Sequence, residues 1–307
     1  MIKKISSLMA MAVMLGLSVS SCLDSKETKN EITLNYGGDA VYNRVVDHET
    51  GETLISINPA YSMLFNTTDE EVEMTMSNIQ LANGFSGLAF KLPEMKYKYD
   101  PKTAFYTVEA TDLTPLNAGG QYVFNNYSMK AIPARIVNGA QMPVYLVNFT
   151  INGRYQVSAY PTTPTLIGTT HATRTDAGQS GTYETDNTIL QLRINPATLK
   201  ATMLIADAVF SQDMPTTNFL VKDLPVTLND RGLTIVTDQD VKYDIYNTND
   251  AKQNGCSVSN LSLAFNLGTG ASSASFSVDL SGKNDSFVTF GSYDVTMDLG
   301  YLFKLEQ

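Results

Sequence analysis

Alternation of apolar and polar residues with a period of two runs through most of this chain and leaves little place for a helical core. Val72, Met74 and Met76 alternate with Glu71, Glu73 and Thr75. Leu190, Leu192 and Ile194 alternate with Gln191 and Arg193, and Val241, Tyr243 and Ile245 with Lys242 and Asp244. Tyr293, Val295, Met297 and Leu299 alternate with Asp294, Thr296 and Asp298. In an extended chain this pattern puts one face on a core and the other in water. Turn signals separate the runs at Glu49-Thr50-Gly51, Asn138-Gly139, Asn152-Gly153, Asp230-Arg231-Gly232 and Ser281-Gly282. After residue 30 there is no amphipathic segment of helical period and length. Strands separated by short turns predict an antiparallel all-β chain, folded as a sandwich or a barrel.

The chain also repeats itself. Residues 132–154, IPARIVNGAQMPVYLVNFTINGR, align with residues 261–283, LSLAFNLGTGASSASFSVDLSGK, at a shift of 129. Ile132, Ala134 and Ile136 meet Leu261, Leu263 and Phe265. Val147, Phe149 and Ile151 meet Phe276, Val278 and Leu280. Gly139 meets Gly268, Gly153 meets Gly282, and Arg154 meets Lys283. Upstream, Asn78-Ile79-Gln80-Leu81 lines up with Asp207-Ala208-Val209-Phe210, while Ile57-Asn58-Pro59 recurs as Ile194-Asn195-Pro196 at a shift of 137. The drift between 129 and 137 predicts insertions in the loops. Two homologous β domains are expected, 31–161 and 162–307, joined at Tyr160-Pro161-Thr162-Thr163-Pro164, where two prolines make a stiff non-helical link.

The first 22 residues are of another kind. Lys3 and Lys4 precede an apolar run from Leu8 to Val19, broken only by Gly16 and Ser18. The run is too short for a membrane-spanning helix and reads as the core of a signal peptide. It leads into Val19-Ser20-Ser21-Cys22, which resembles a bacterial lipobox: an aliphatic residue, two small ones and the cysteine that receives lipid. Residues 1–21 are then a leader, Cys22 is the lipidation site, and residues 22–30 are a polar tether. Multiple acyl chains anchor stably where one is marginal. Asp24 and Glu27 in the tether resemble, in a short form, the surface-export signals of Bacteroidota lipoproteins. The expected location is the outer membrane, lipid-anchored, on the cell surface.

Composition narrows the partners. The formal net charge is −10, and losing Lys3 and Lys4 takes it to about −12. Such a chain lacks the clustered cations that phosphates require, which excludes nucleic acid as a partner. With Cys22 lipidated, Cys256 has no partner for a disulfide. Stability must then come from packed cores, for which an apolar content of 43% suffices.

One unit reads as an opening strand with glycine (Tyr36-Gly37, Ile167-Gly168), a hairpin, a strand ending in Asp207-Ala208-Val209-Phe210, then Met214-Pro215 and Leu224-Pro225. It closes with the hairpin from Leu261–Phe265 to Phe276–Leu280. This order resembles the calycin-like, lipocalin-like β-barrel domains of Bacteroidota lipoproteins, in tandem. The resemblance implies a barrel shape and no catalytic residues, and a β-sandwich is the alternative.

Signals for chemistry are sparse. Asp47-His48-Glu49, Asp69-Glu70-Glu71 and Asp238-Gln239-Asp240 look like solvated turns, short of the ligand series of a metal site. A thiol catalyst at Cys256 would need His171 beside it. Neither a Gly-x-Ser-x-Gly elbow nor a phosphate loop is present. No catalytic residue, metal or cofactor is expected, and the chain is expected not to be an enzyme. The sequence leaves binding open. Tyr97, Tyr99 and Tyr106 flank Asp100-Pro101, and Tyr122 and Tyr127 flank Asn125-Asn126, a pattern for an adhesive patch or for ordinary strand tyrosines. Met63, Met74, Met76, Met95 and Met203 fill a core or line a pocket for a small hydrophobic ligand. The expected role is non-catalytic binding or scaffolding. The alternative is an adhesin or surface-fibre subunit with an edge strand at 31–36 or at 301–305, and a hydrolase ranks below both.

Overall fold

The computed structural model describes residues 31–102, 105–137, 140–176, 182–229, 232–266, 271–282 and 290–301. Their strands are all antiparallel, the one helical turn among them is a 3-10 turn at Gly38–Ala40, and they separate into two compact units between Pro161 and Thr162. No helix among them is long and apolar enough to cross a membrane.

Twelve strands build the first unit. They are β1 (Glu31–Gly37), β2 (Val41–Asp47), β3 (Thr53–Ile57), β4 (Ala60–Asn66), β5 (Glu71–Ile79), β6 (Leu88–Lys91), β7 (Met95–Lys96), β8 (Lys98–Asp100), β9 (Phe105–Ala110), β10 (Phe124–Val137), β11 (Ala140–Ile151) and β12 (Tyr155–Pro161). Their hydrogen bonds make two sheets. One has the order β1-β4-β5-β6 with β7 also on β5, and the other the order β3-β2-β12-β11-β10-β9-β8. One bent hairpin serves both. Its stem, β1 with β4, pairs Glu31 with Asn66 through Gly37 with Ala60. Its tip, β2 with β3, belongs to the second sheet. The bend falls at Gly37, where a Cβ would lie 2.9 Å from Ala60 Cα, so glycine lets the strands approach at the corner. Met63, Phe65, Met74 and Met76 from one sheet pack on Val108, Phe124, Met129 and Phe149 from the other in a single core.

The second unit has ten strands: β13 (Thr165–Arg174), β14 (Thr182–Asn195), β15 (Lys200–Ala208), β16 (Thr217–Pro225), β17 (Thr227–Asn229), β18 (Gly232–Val236), β19 (Tyr243–Tyr246), β20 (Lys252–Asn266), β21 (Ser272–Asp279) and β22 (Ser292–Tyr301). Eight of them, β13 to β16 and β19 to β22, pair each with the next, and β22 returns to β13, so the sheet closes into a barrel. The β17–β18 hairpin lies along the far half of β20. The closing seam runs past Gly168, where a Cβ would sit 1.8 Å from the Asp298 carbonyl oxygen. Leu192, Met203, Phe219, Val258, Phe276 and Val295 are buried on alternate positions, as the period of two requires.

Strand register repeats between the units more closely than the sequence does. Tyr61↔Met76, Met63↔Met74 and Phe65↔Val72 on β4–β5 become Leu190↔Ile205, Leu192↔Met203 and Ile194↔Ala201 on β14–β15, every residue shifted by 129. On β5–β6, Met76↔Phe90 and Ile79↔Leu88 become Ile205↔Phe219 and Ala208↔Thr217, with the same irregularity between the two pairs. Asn78 (φ 56°) and Asp207 (φ 58°) occupy that irregularity in the left-handed conformation that their side chains tolerate. This register corrects one sequence match. Asn195 is the counterpart of Asn66, not of Asn58, because both end their strand and accept a turn N–H two residues on: Thr68 N to Asn66 Oδ1 and Ala197 N to Asn195 Oδ1, each 3.0 Å. The Ile-Asn-Pro recurrence at 137 is a local coincidence. In the later hairpin the units differ by a slip. Met129 opposes Val147, whereas Val258 opposes Val278 rather than Phe276. A slip of two residues keeps every side chain on its face, so both hairpins bury the same apolar rows.

In the first unit β12 carries the ring across the seam that β22 closes in the second, and the described pairing stops instead between β6–β7 and β8. β12 runs along β2 from Tyr155↔Asp47 to Pro161↔Val41. Continued in that register, residues 165–171 would lie along β1. Those residues instead form β13, already held between β14 and β22. The link is itself part of the second unit: Ile194 N donates to Thr162 O at 2.7 Å and Leu192 N to Pro164 O at 3.0 Å.

Candidate functional site

β1 is the longest strand that ends a sheet. Its partner among the described strands is β4 alone. The other sheet ends are short or covered. β3 has five residues, and β8 and β17 have three each, with Pro101 directly after β8. β6 is covered by a loop that imitates a strand: Leu116 N donates to Lys91 O at 2.7 Å, Lys91 N to Asn117 Oδ1 at 2.8 Å, and Asn117 Nδ2 to Ala89 O at 3.1 Å. Native edges are blunted by lysine, proline, bulges or cover. Between Ile32 and Tyr36, β1 carries neither charge nor proline. Ile32 and Leu34 are half-buried on the core and Thr33 and Asn35 are exposed. A backbone edge at a sheet end can hydrogen-bond an added strand.

The other sequence-predicted positions go elsewhere. Cys22 lies outside the described residues, as do Gly139, Gly268, Lys283 and 302–305. His48 is exposed in the β2–β3 turn, and its backbone N donates to Arg154 O at 2.9 Å. Its neighbours carry the electrostatics. Arg154 grips Asp47 with two hydrogen bonds, Nε to Oδ1 at 3.0 Å and Nη2 to Oδ2 at 2.7 Å, and also pairs with Glu49. The guanidinium holds the Asp47 carboxyl down to about 2. This clamp ties two turns that are 107 residues apart in the chain, so no local pattern could have announced it.

Asp69, Glu70 and Glu71 lie at the β4–β5 hairpin tip, where Asn66 Nδ2 donates to Asp69 Oδ2 at 2.6 Å and Lys96 pairs with Glu71 at 2.9 Å. Asp238 and Asp240 are exposed in a loop. Among the described residues no group of three or more His, Cys, Asp or Glu side chains is placed to hold a metal. Cys256 is buried on the inward row of β20, while His171 sits on the outward row of β13, with Nδ1 3.3 Å from Glu184 Oε2. The barrel wall separates them.

The tyrosines divide. Tyr97, Tyr106 and Phe65 pack edge to face or tilted, at 4.8 to 5.3 Å, and Tyr99 tilts onto Tyr106. Only Tyr99 is well exposed, at 47%. Tyr127 is inside the first core with its hydroxyl on Met74 Sδ, and burial pushes its phenol pKa up. Tyr61, also interior, donates to Asn43 Oδ1 at 2.7 Å. Met63, Met74, Met76, Met95 and Met203 are all buried, filling the interiors beside the aromatic rings. A hollow of about 480 Å³ lies on the second unit near Asn229, Gly232, Thr234, Asn266 and Ser273. It is lined by turn and strand-end residues at the rim of the wall, away from the methionines.

No family model and no curated protein matches the sequence.

Proposed function

We propose that the mature protein is an outer-membrane lipoprotein displayed on the cell surface, of the calycin-like Bacteroidota kind, with a non-catalytic binding or scaffolding role. The observation that carries the reading is β1, a seven-residue strand at a sheet end whose described strand partner is β4. An interior filled by its own methionines and aromatic rings leaves recognition to surfaces and edges, and from Ile32 to Tyr36 β1 carries no charge. With lipid on Cys22, the nine residues 22–30 reach at most about 30 Å, so the edge would stand close to the bilayer. The same edge favours a second reading, a subunit of a surface assembly that adds strands between chains.

Fractionation of cells making Cys22→Ser tests the anchor. The variant is expected in the soluble fraction, and its retention with membranes overturns the lipoprotein reading. The binding role is tested by native and denatured masses of the protein purified from its own envelope. A bare chain mass fits recognition at an edge, whereas excess mass lost on denaturation would return the search to an enclosed ligand.

A further inference from the structure

We propose that each unit binds one ordered water molecule inside the corner of its first hairpin, held by Asn43 and Ser56 in the first unit and by Thr170 and Thr188 in the second.

The corner puts polar side chains on an inward row. On β2, Val41 and Val45 face the first core, and Asn43 stands between them, fully buried. Ser56 of β3 lies directly opposite Asn43 and is buried as well. Tyr61 donates to Asn43 Oδ1 at 2.7 Å, which orients the amide. Asn43 Nδ2 and Ser56 Oγ then have no hydrogen-bond partner among the described residues. Turning the amide over would only leave Oδ1 in the place of Nδ2. Buried polar groups of native proteins are paired, with protein or with ordered water.

The second unit repeats the arrangement with other residues. Leu190 stands where Tyr61 does, and each follows a left-handed asparagine, Asn58 (φ 56°) and Asn187 (φ 68°), at the same spacing. Just before those asparagines, Ser56 opposes Asn43 and Thr185 opposes Thr170. Thr170 is therefore the counterpart of Asn43, displaced along the chain by the 3-10 turn Gly38–Ala40. It lies opposite inward-facing Met297 and is fully buried. Thr188 is fully buried too, beside the register shift between Gly168 and Thr170. Neither threonine hydroxyl has a hydrogen-bond partner among the described residues. The residue types differ between the units, yet both bury two unpaired polar groups at one corner of the fold. A packing accident would not recur at the same register position.

The lining selects the ligand. All four groups are amide or hydroxyl and none is charged, so the ligand is neutral and both donates and accepts. Opposed side chains on one face have Cβ atoms about 4.5–5.5 Å apart. A water reaching about 2.8 Å to each side spans that gap. Water is the smallest molecule with both capacities, and enclosed polar sites with two or more partners hold it.

Crystals of the full chain are expected to show one solvent peak within hydrogen-bond distance of Asn43 and Ser56, and another bridging Thr170 and Thr188. Unfolding in denaturant gives a second readout. Ser56→Ala and Thr188→Val each delete one hydroxyl and keep the core apolar. A hydroxyl that holds water leaves that water short of a partner when it is deleted, and the midpoint falls. Deleting an unpaired hydroxyl removes the cost of burying it, so the midpoint holds or rises. Peaks in both units with lower midpoints in both variants support the assignment. A midpoint that holds or rises in either variant overturns it. So does a crystal in which either pair has no solvent peak, or in which the side chains turn to bond each other directly.

Discussion

The two units share a register and differ in closure. Through β4–β5–β6 and β14–β15–β16 the pairs correspond one to one, including the irregularity at Asn78 and Asp207. Yet the second unit is a closed ring of eight strands and the first is two sheets joined by a bent hairpin. The difference does not come from apolar content, since both bury continuous rows. It lies between β6–β7 and β8, which no described pair joins, where β16 pairs with β19 in the second unit. Closure removes edges. Among the described strands the first unit keeps its sheet ends, β1 among them.

The largest effect is expected at the seam that closes the second unit. Gly168→Val puts a branched side chain where a Cβ already falls 1.8 Å from the Asp298 carbonyl. It should cost at least about 3 kcal/mol and melt the second unit first. Calorimetry should then show an early transition absent from the parent chain, with the first unit's transition in place. A single unshifted melt would mean the seam is not needed for closure.

An intermediate effect sharpens the comparison from inside the cores. Met74 and Met203 are counterparts, both fully buried. Truncation of either to alanine should cost about 2–5 kcal/mol, the amount depending on how far the walls collapse. The first unit's described strands form two sheets and not a ring, which gives its core more freedom to relax, so Met74→Ala should cost less than Met203→Ala. Equal losses in denaturant titration would show that the lack of a ring does not soften the core.

The smallest effect is electrostatic and belongs to the first unit. Asp47 is held at about 2 by Arg154, below its ordinary value of 3.8, so the folded state favours the ionised form. That stabilisation is complete above pH 4 and is lost as pH falls from about 4 to about 2. The first unit's midpoint should drop across that window, and Arg154→Ala should flatten the drop. An unchanged acid limb in Arg154→Ala would remove the clamp from the account.

Legibility followed the range of each interaction. The inward rows of β5, β14, β20 and β22 were readable because alternation is local and burial follows it. Asn78 and Asp207 were matched correctly because the apolar residues beside them repeat at the same shift of 129, although Asn78 bonds the Ile57 and Asn58 carbonyls across the sheet. Asn66 and Asn195 were missed, since Ile-Asn-Pro offered a better literal match and register is set across strands. Of the tyrosines proposed as a patch, Tyr97, Tyr99 and Tyr106 do cluster, but Tyr97 is buried and Tyr127 faces the core, which spacing alone cannot decide. Residues 31–36 and 301–305 were named as candidate edge strands, and that β1 ends a sheet among the described strands required the pairing of β1 with β4.

From the sequence alone came the β class, the alternation that sorts each strand into an inward and an outward row, and the duplication. All three follow from rules that act within a few residues or compare one stretch with another. Tertiary structure alone decided which strand closes which ring, that Arg154 reaches back to Asp47, and that Cys256 and His171 stand on opposite sides of a wall. Those outcomes depend on pairings between residues far apart in the chain, which no local pattern reports.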